Sequence, residues 1–244
     1  MEQVKVLTWN IRQGGRKAIS QIVDSLLYHH ADVVIITEYK RNAAGAHLIS
    51  TMEKEGWHYI QSSQPPDSEN GILIASVFPM DAFETPFQKE FGSHRWNEVY
   101  FPSLDMFLLG VHIPNVNERY DKRFFWEQVI KYANQKQDER AMVVGDFNTA
   151  RRDEKKQAPK QYSQFLMQLI DHGWVDAWKK SNPDILDFSW VSHRHNGFRL
   201  DYIFLSPMLA YKALTCAFSH HERVQNYSDH SILIAQIDDV AISR

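Results

Sequence analysis

The chain has 244 residues, 43% of them hydrophobic and 23% charged, with a formal charge of -3. These are ordinary values for one large α/β domain with a full core. They exclude a basic nucleic-acid coat, so any polyanion must be held by a local patch or by a metal that supplies positive charge.

Val4 to Trp9 reads as a buried strand, running on from Met1-Glu2-Gln3 with neither the basic start nor the apolar stretch of a signal peptide. Arg16 to His30 follows as an amphipathic helix, with Ile19, Ile22, Val23, Leu26 and Leu27 on one stripe. Asp32 to Thr37 is a β-branched interior strand. Asn42 to Glu55 has a weaker helical stripe, interrupted by Gly45. Gln61 to Asn70, rich in Ser, Pro and Asp, is a loop. Gly71 to Val77, Glu98 to Phe101 and Met106 to Ile113 read as successive strands. Glu118 to Gln137 is a long helix, Ala141 to Val144 a strand, and Tyr162 to His172 a helix stopped by Gly173. Phe188 to Val191, Leu200 to Leu205, Leu214 to Ser219 and Ser231 to Ile237 complete the strands.

No repeat, low-complexity tract or linker divides the chain. The expectation is one domain, residues 1–244, with two stacked sheets and helices outside. The single cysteine, Cys216, rules out an intramolecular disulfide and sits in a strand-like run, as a core residue would. A reducing cytoplasm fits, and no apolar run is long enough to span a membrane.

Polar residues fall where these apolar strands end. Asn10 ends the first, Glu38 the second, and His112 lies in Gly110-Val-His-Ile-Pro-Asn115. Asp146 and Asn148 follow the run Ala141 to Val144. Two apart in an extended chain, they would share a face. Asp201 is a lone carboxylate in Arg199-Leu-Asp-Tyr-Ile-Phe204, and Asp229 and His230 precede the last strand. Sites in sheet proteins concentrate at such ends.

The set is rich in oxygen ligands and has no thiolate, which suits Mg²⁺ or Mn²⁺ rather than a structural zinc. Glu38 is the first choice of ligand. Acids, amides and a histidine around a hard cation fit phosphodiester or phosphomonoester hydrolysis.

Each residue also has a bland reading. Asn10 can cap a turn, Glu38 can pair with Lys40 at the surface, and His112 can be a satisfied half-buried histidine. A buried Asp201 is harder to dismiss, because it needs a partner. His193 and His195 resemble a metal pair with no third ligand near, and a solvated loop or substrate contact suits them better. Arg151-Arg-Asp-Glu-Lys-Lys156 with Lys160 is either an exposed charged loop or a phosphate contact beside the site.

Taken in order, Leu7-Thr-Trp-Asn-Ile-Arg12, Ala31-Asp-Val-Val-Ile-Ile-Thr-Glu-Tyr-Lys40, Val111-His-Ile-Pro-Asn115, Val144-Gly-Asp-Phe-Asn148, Gly173-Trp-Val-Asp-Ala-Trp178, Asp187-Phe-Ser-Trp190, Arg199-Leu-Asp-Tyr202 and Ser228-Asp-His230 run nearly end to end. This ordered set resembles the endonuclease/exonuclease/phosphatase superfamily, and within it the exonuclease III type of apurinic/apyrimidinic endonuclease.

The resemblance implies a four-layered α/β/β/α sandwich of two facing mixed sheets with outer helices, as in deoxyribonuclease I. It implies that Glu38 binds the divalent metal, that Asn10 supports it, and that Asp229 is a ligand or stands just behind one. Asp146 would orient or deprotonate water, and Asn148 would hold phosphate and water. His230, paired with Asp201, would bind phosphate, and His112 joins this catalytic set. Arg12, Lys40, Asn115, Arg151, Trp190, His193, His195 and Phe198 are candidate substrate contacts.

The implied reaction is in-line attack of water on phosphorus, on DNA at abasic sites or 3′ ends, by a monomer with no obligate protein partner and no membrane anchor. The alternative substrates are a phosphoinositide, sphingomyelin, RNA or a nucleotide. Arg12 stands where many apurinic endonucleases carry aspartate. His112 stands where they carry tyrosine and pancreatic-type deoxyribonucleases carry histidine. The stretches from Asn148 to Gly173 and from Trp190 to Arg199 are shorter than in exonuclease III, and those regions shape the grip on damaged DNA.

Overall fold

A computed structural model describes residues 3–154, 158–211 and 214–238. In chain order its elements are β1 (Gln3–Asn10), α1 (Ile19–His29), β2 (Val33–Tyr39), α2 (Ala43–Lys54), β3 (Tyr59–Ser62), β4 (Gly71–Ser76), β5 (Asp81–Ala82), β6 (Trp96–Phe101) and β7 (Met106–His112). Then come α3 (Lys122–Gln135), β8 (Ala141–Asp146), α4 (Lys160–Asp171), β9 (Val175–Asp176), α5 (Ala177–Ser181), β10 (Trp190–Val191), β11 (Gly197–Phe198), β12 (Asp201–Leu205), α6 (Pro207–Ala210), β13 (Leu214–Ser219), α7 (His221–Val224) and β14 (Ile232–Asp238).

The strands form two six-stranded sheets, ordered β13-β14-β1-β2-β4-β3 and β5-β6-β7-β8-β12-β9, plus the small hairpin β10-β11. Both large sheets are mixed. β1 and β2 run parallel in one, β7 and β8 in the other, and the remaining pairs are antiparallel. The four parallel strands point their carboxyl ends toward one edge, and Asn10, Glu38, His112 and Asp146 lie there.

Strand side chains alternate between faces, and this alternation builds the four layers. Val4, Val6, Val33, Ile35, Ile72 and Ile74 of the first sheet pack against Val99, Leu108, Met142, Val144 and Ile203 of the second. The intervening residues face outward. Leu7, Trp9, Val34 and Ile36 meet Ile22, Leu26, Leu48 and Met52 of α1 and α2. Leu109, Val111 and Val143 meet Phe125, Trp126, Val129, Phe165 and Leu166 of α3 and α4.

Burying each Val, Ile or Leu stabilises by roughly 1.5–3 kcal/mol. A one-residue slip would turn a whole stripe out of the core, so register is strongly held. No described helix is long and apolar enough to cross a membrane.

The expected helices and most strands are present, with instructive differences. The first helix starts at Ile19 rather than Arg16, because Gly14, Gly15 and Arg16 all take positive φ in a tight turn ahead of it. Asn42 caps α2, its side-chain oxygen accepting from Gly45 N at 3.0 Å. Gly45, which seemed to weaken this helix, is demanded by it: a Cβ there would lie 2.0 Å from the Lys40 carbonyl oxygen. The long helix begins at Lys122 rather than Glu118, since Asp121 takes the cap and accepts from Arg123 N and Phe124 N. Phe188 and Ser189 are not in a strand, only Trp190 and Val191 being paired, with Phe198 and Gly197. β3 overlaps what read as loop, and the two-residue strands carry too little pattern to be seen in sequence.

Gly145 is the tightest point beside the site. Its φ is +138°, and a Cβ would come within 2.1 Å of the Val111 carbonyl oxygen. Gly145→Ala is expected to destabilise the fold by about 2–4 kcal/mol, from strain plus overpacking, read as a lowered urea midpoint at unchanged slope.

Candidate active site

The inner stripes that join the sheets end in polar residues. Val4, Val6 and Thr8 lead to Asn10; Leu108 and Gly110 lead to His112; Met142 and Val144 lead to Asp146; and Leu205 and Ile203 lead back to Asp201. The period-2 rule that aims the valines between the sheets therefore aims these four side chains at one place. All four are buried. Glu38 arrives differently. By alternation it would share the helix-covered face of Val34 and Ile36, but the pairing with β4 slips between Thr37 and Tyr39, and Glu38 takes a φ of 59°. This bulge re-aims its carboxylate onto the edge.

Asn10 Nδ2 donates to Glu38 Oε1 at 3.1 Å and to Asp146 Oδ2 at 2.9 Å. One amide thus joins a carboxylate from each sheet. Glu38 Oε2 also accepts from Gln13 N at 2.7 Å and Asn70 Nδ2 at 3.0 Å. Asn148 does not continue an extended strand beside Asp146. The strand ends, Asn148 turns with φ 46°, its N–H donates to Asp146 Oδ1 at 2.8 Å, and its amide donates to the Ile113 carbonyl at 3.0 Å. On the other side, His230 Nδ1 lies 2.7 Å from Asp201 Oδ2 and His230 Nε2 lies 3.9 Å from Asp146 Oδ2. Ser228 Oγ donates to the Asn10 carbonyl at 2.6 Å and accepts from His230 N at 3.1 Å, fixing the last loop to the first strand.

A cavity of about 380 Å³ opens over this edge, lined among others by Asn10, Glu38, His112, Asn115, Asp146, Asn148, Trp190, Phe198, Asp229 and His230. Trp190 pairs with His230 in an isolated bridge, which docks the β10-β11 hairpin at the rim. Asp229 accepts from Trp190 Nε1 at 3.3 Å and lies 3.8 Å from Arg12 Nε.

Of the expected contacts, Arg12, Lys40, His193 and His195 do not line this cavity, although Arg12 lies beside Asp229, which does. His193 and His195 sit on the exposed hairpin tip, and they join no three-member group of metal-ligand side chains among the described residues. Arg151 is turned away. It is buried and engages Asp153, Glu154 and Asp176, a network shared with buried Arg199, whose Nη1 and Nη2 grip Asp176 at 2.9 and 2.6 Å. Lys155 and Lys156 of the basic tract lie outside the described residues.

Lys122, which the sequence hid in a charged first helical turn, is buried at the cavity, donates to the Asn148 carbonyl and lies 5.0 Å from the centre of the Tyr162 ring. Burial lowers its pKa to about 8 against the opposing pull of Asp146 and Glu118.

Burial divides the titrating groups. His112 is held well below the ordinary histidine value by burial and then by the charge of Arg95, so it is neutral. Burial acts the same way on His230, but the charge and hydrogen bond of Asp201, with Asp146 and Asp229, outweigh it and raise its pKa to about 10. Burial and the Asp201 charge raise Asp146 to about 7 despite His230, the Asn148 N–H and the Asn10 amide. At neutral pH the cavity therefore holds an imidazolium beside a carboxyl poised to take up a proton.

Among the described residues, two places can hold a cation. Asp146, Asp201 and His230 bring ligand atoms within 4.8 Å of one another, but His230 and Asp201 already satisfy each other across a short hydrogen bond inside the protein. The other place is the half-exposed Glu38 carboxylate at the cavity wall, with Asn10 behind it and Asp229 on the same cavity. Its oxygen donors suit a hard divalent ion.

A family model described as Endonuclease/Exonuclease/phosphatase family matches residues 7–230. No curated protein matches the chain in sequence. Among solved structures, an AP endonuclease from Archaeoglobus fulgidus superposes with a TM-score of 0.81 at 19% identity, covering 97% of this chain and all of that one. A 3′ phosphatase from Neisseria bound to a product DNA hairpin superposes at 0.80 with 18% identity, and a 3′-5′ exonuclease from Neisseria meningitidis at 0.80 with 19%, each with the same coverage.

The raised His230 value carries a sign. Its folded-state pKa of about 10 exceeds the ordinary 6.5, so its pairing contributes stability in full below about 6.5 and loses it as pH rises through about 10. Ring NMR of the metal-free protein is expected to show His230 titrating well above neutrality. Asp201→Asn is expected to bring that titration down by more than a pH unit and to flatten the alkaline loss of stability.

Proposed function

The chain belongs to the endonuclease/exonuclease/phosphatase family and is therefore a phosphoester-cleaving enzyme, and from that premise we propose that it is a Mg²⁺-dependent phosphodiester hydrolase acting on DNA. The observation that carries the reading is the meeting of Asn10, Glu38, Asp146, Asn148 and His230 on one open cavity, with Asp201 paired behind His230.

In this reading Glu38 and Asn10 hold Mg²⁺, or Mn²⁺ in its place, with Asp229 on the same wall. The bound ion supplies charge that neutralises the phosphate. Asp146 accepts a proton from the attacking water, a task suited to a carboxyl titrating near neutral pH. The His230 imidazolium, held by Asp201, binds a phosphate oxygen and steadies the charge that grows on it. Asn148, fixed by Asp146 and the Ile113 carbonyl, presents its turn to the phosphate and the water. His112 remains neutral beside Asp146 and acts as a hydrogen-bonding wall rather than a second cation. Attack is in line, with the proton passing to Asp146 and the P–O bond breaking on the far side.

DNA is favoured by the cavity's rim. Trp190 and Phe198 offer flat apolar faces for a sugar or base, Asn115 offers a polar contact, and Arg12 stands half exposed beside Asp229. One of the solved structures named above is bound to a product DNA hairpin, in keeping with DNA as the target, at abasic sites or 3′ ends. We take residues 1–244 as one catalytic domain working as a monomer in the cytoplasm, its buried Cys216 in keeping with a reducing compartment.

The test is cleavage of a labelled duplex carrying one abasic analogue, beside an intact duplex. With Mg²⁺ the wild type is expected to incise at the lesion, and chelator is expected to stop it. Asp146→Asn is expected to lower the rate by roughly 10²-fold or more while DNA binding survives. No cleavage of either duplex by folded protein, together with turnover of a lipid, RNA or nucleotide ester, would replace the DNA reading. Changing Trp190, Phe198, His193 and His195 together is expected to erase the preference for the lesion; retained preference would place substrate selection elsewhere.

A further inference from the structure

Between the end of β13 at Ser219 and the start of β14 at Ile232, the chain makes the turn His220-His-Glu-Arg223. His220 does not line the catalytic cavity, yet its ring reaches two segments that do. Its Nε2 lies 2.9 Å from Asp187 Oδ2, 33 residues back, and its Nδ1 lies 2.8 Å from Ser231 Oγ, 11 residues on. Ser231 Oγ also accepts from Arg223 Nε at 2.8 Å, and Arg223 Nη2 lies 3.4 Å from the same His220 Nδ1. A guanidinium can only donate. Ser231 therefore gives its own proton to Nδ1, and the ring keeps its Nε2–H for Asp187.

Asp187 opens the segment Asp187-Phe-Ser-Trp190, and its Oδ1 accepts from Phe188 N at 2.7 Å. Buried Ser189 accepts through Oγ from Leu200 N and Asp201 N at 2.9 and 3.1 Å, and its carbonyl accepts from Ser231 N at 2.8 Å. Trp190 then stands on the wall of the cavity. Its strand β10 is two residues long and pairs with the equally short β11. Beyond that it has one bridge to His230 and an indole bond to Asp229 at 3.3 Å. So short a hairpin has little stability of its own, and the wall depends on what grips the chain behind it. His230 has anchors apart from the wall: Asp201 at Nδ1, Ser228 at its N–H, and Trp9 Nε1 donating to its carbonyl at 3.0 Å.

We propose that His220 is a positioning residue for the substrate wall: by bridging Asp187 and Ser231 it clasps the Trp190 segment to the strand that carries His230. It touches neither substrate nor the reacting atoms. Losing it would let the wall swing while His230 keeps its own anchors, so the effect falls on how an extended substrate is held. What occupies the wall rests on the DNA reading; the clasp itself is a property of the free protein.

Hydrogen exchange in the metal-free protein tests the clasp. His220→Ala is expected to speed exchange of the Trp190 indole N–H about tenfold more than that of the Leu109 and Val143 amides, deep in the second sheet. Equal acceleration at all three, or wild-type exchange at Trp190, would overturn the proposal. His220→Asn keeps an acceptor for Ser231 but cannot reach Asp187; it is expected to fold and to loosen Trp190 as His220→Ala does, and a wild-type Trp190 in this variant would overturn the bridge. Nitrogen NMR of the wild type in mildly alkaline buffer is expected to show the His220 proton on Nε2 with Nδ1 bare; a proton on Nδ1 would overturn the circuit. Steady-state kinetics then compare a DNA duplex with methyl p-nitrophenyl phosphate. His220→Ala is expected to raise KM for DNA about fivefold, leaving kcat and the small diester near wild type. Equal loss on both substrates, or a loss in kcat alone, would overturn the role in holding the wall. Selective loosening of Trp190 in a protein that cleaves no DNA would leave the clasp standing and remove the DNA reading.

Discussion

The amide of Asn10 is the joint on which the site depends. It donates to Glu38 from one side and Asp146 from the other, and those carboxylates belong to different sheets. The joint exists because β1 and β8 face each other across the inter-sheet core and end at the same edge. The stripes that bury Val4, Val6, Met142 and Val144 set the spacing of the two acids, so the hydrophobic core is the ruler for the chemistry. Within the second sheet, the pairing of β7 with β8 forces Gly145, since a Cβ there would meet the Val111 backbone.

Around that joint, charge is sorted by burial and by partner. His112 and His230 both lose water. Only His230 has a buried carboxylate at 2.7 Å, and so only His230 is driven to the charged form. Asp146, caught between Asp201 and His230, titrates near neutrality. In the proposed reading the cavity has a cation-seeking wall at Glu38, a proton acceptor in the middle and an anion-binding wall at His230. Strain accompanies this order, because Arg12, Gln13, Glu38 and Asn148 all hold positive φ without being glycine, a cost that surrounding structure must offset.

Much of this was legible in the sequence, because alternation is a local rule. A polar residue that ends an apolar stripe lands where the stripe points, which is why Asn10, His112, Asp146 and Asp201 could be placed from their neighbours alone. Glu38 breaks the rule: its position at a strand end and its oxygen donors marked it as a ligand candidate, but alternation would aim it at the helices, and only the bulge brings it in. Arg151 was misplaced because its partner Asp176 lies 25 residues on, and a basic tract gives no sign that distant acids will absorb it. Lys122 and Asn70 were missed for the converse reason. Each sits in a loop or a first turn with an ordinary surface composition, and only the packing of the sheets shows what it faces.

The central claim is that the two walls do different work: the Glu38 side holds the divalent ion and the His230–Asp201 pair does not. Mn²⁺ binding, followed by electron paramagnetic resonance in wild type, Glu38→Ala, Asp201→Asn and His230→Gln, tests it most directly. Glu38→Ala is predicted to abolish the tight site, while Asp201→Asn and His230→Gln keep Mn²⁺ affinity near that of wild type. Loss of binding in Asp201→Asn and His230→Gln, with Glu38→Ala unaffected, would place the ion in the Asp146–Asp201–His230 cluster and contradict the account.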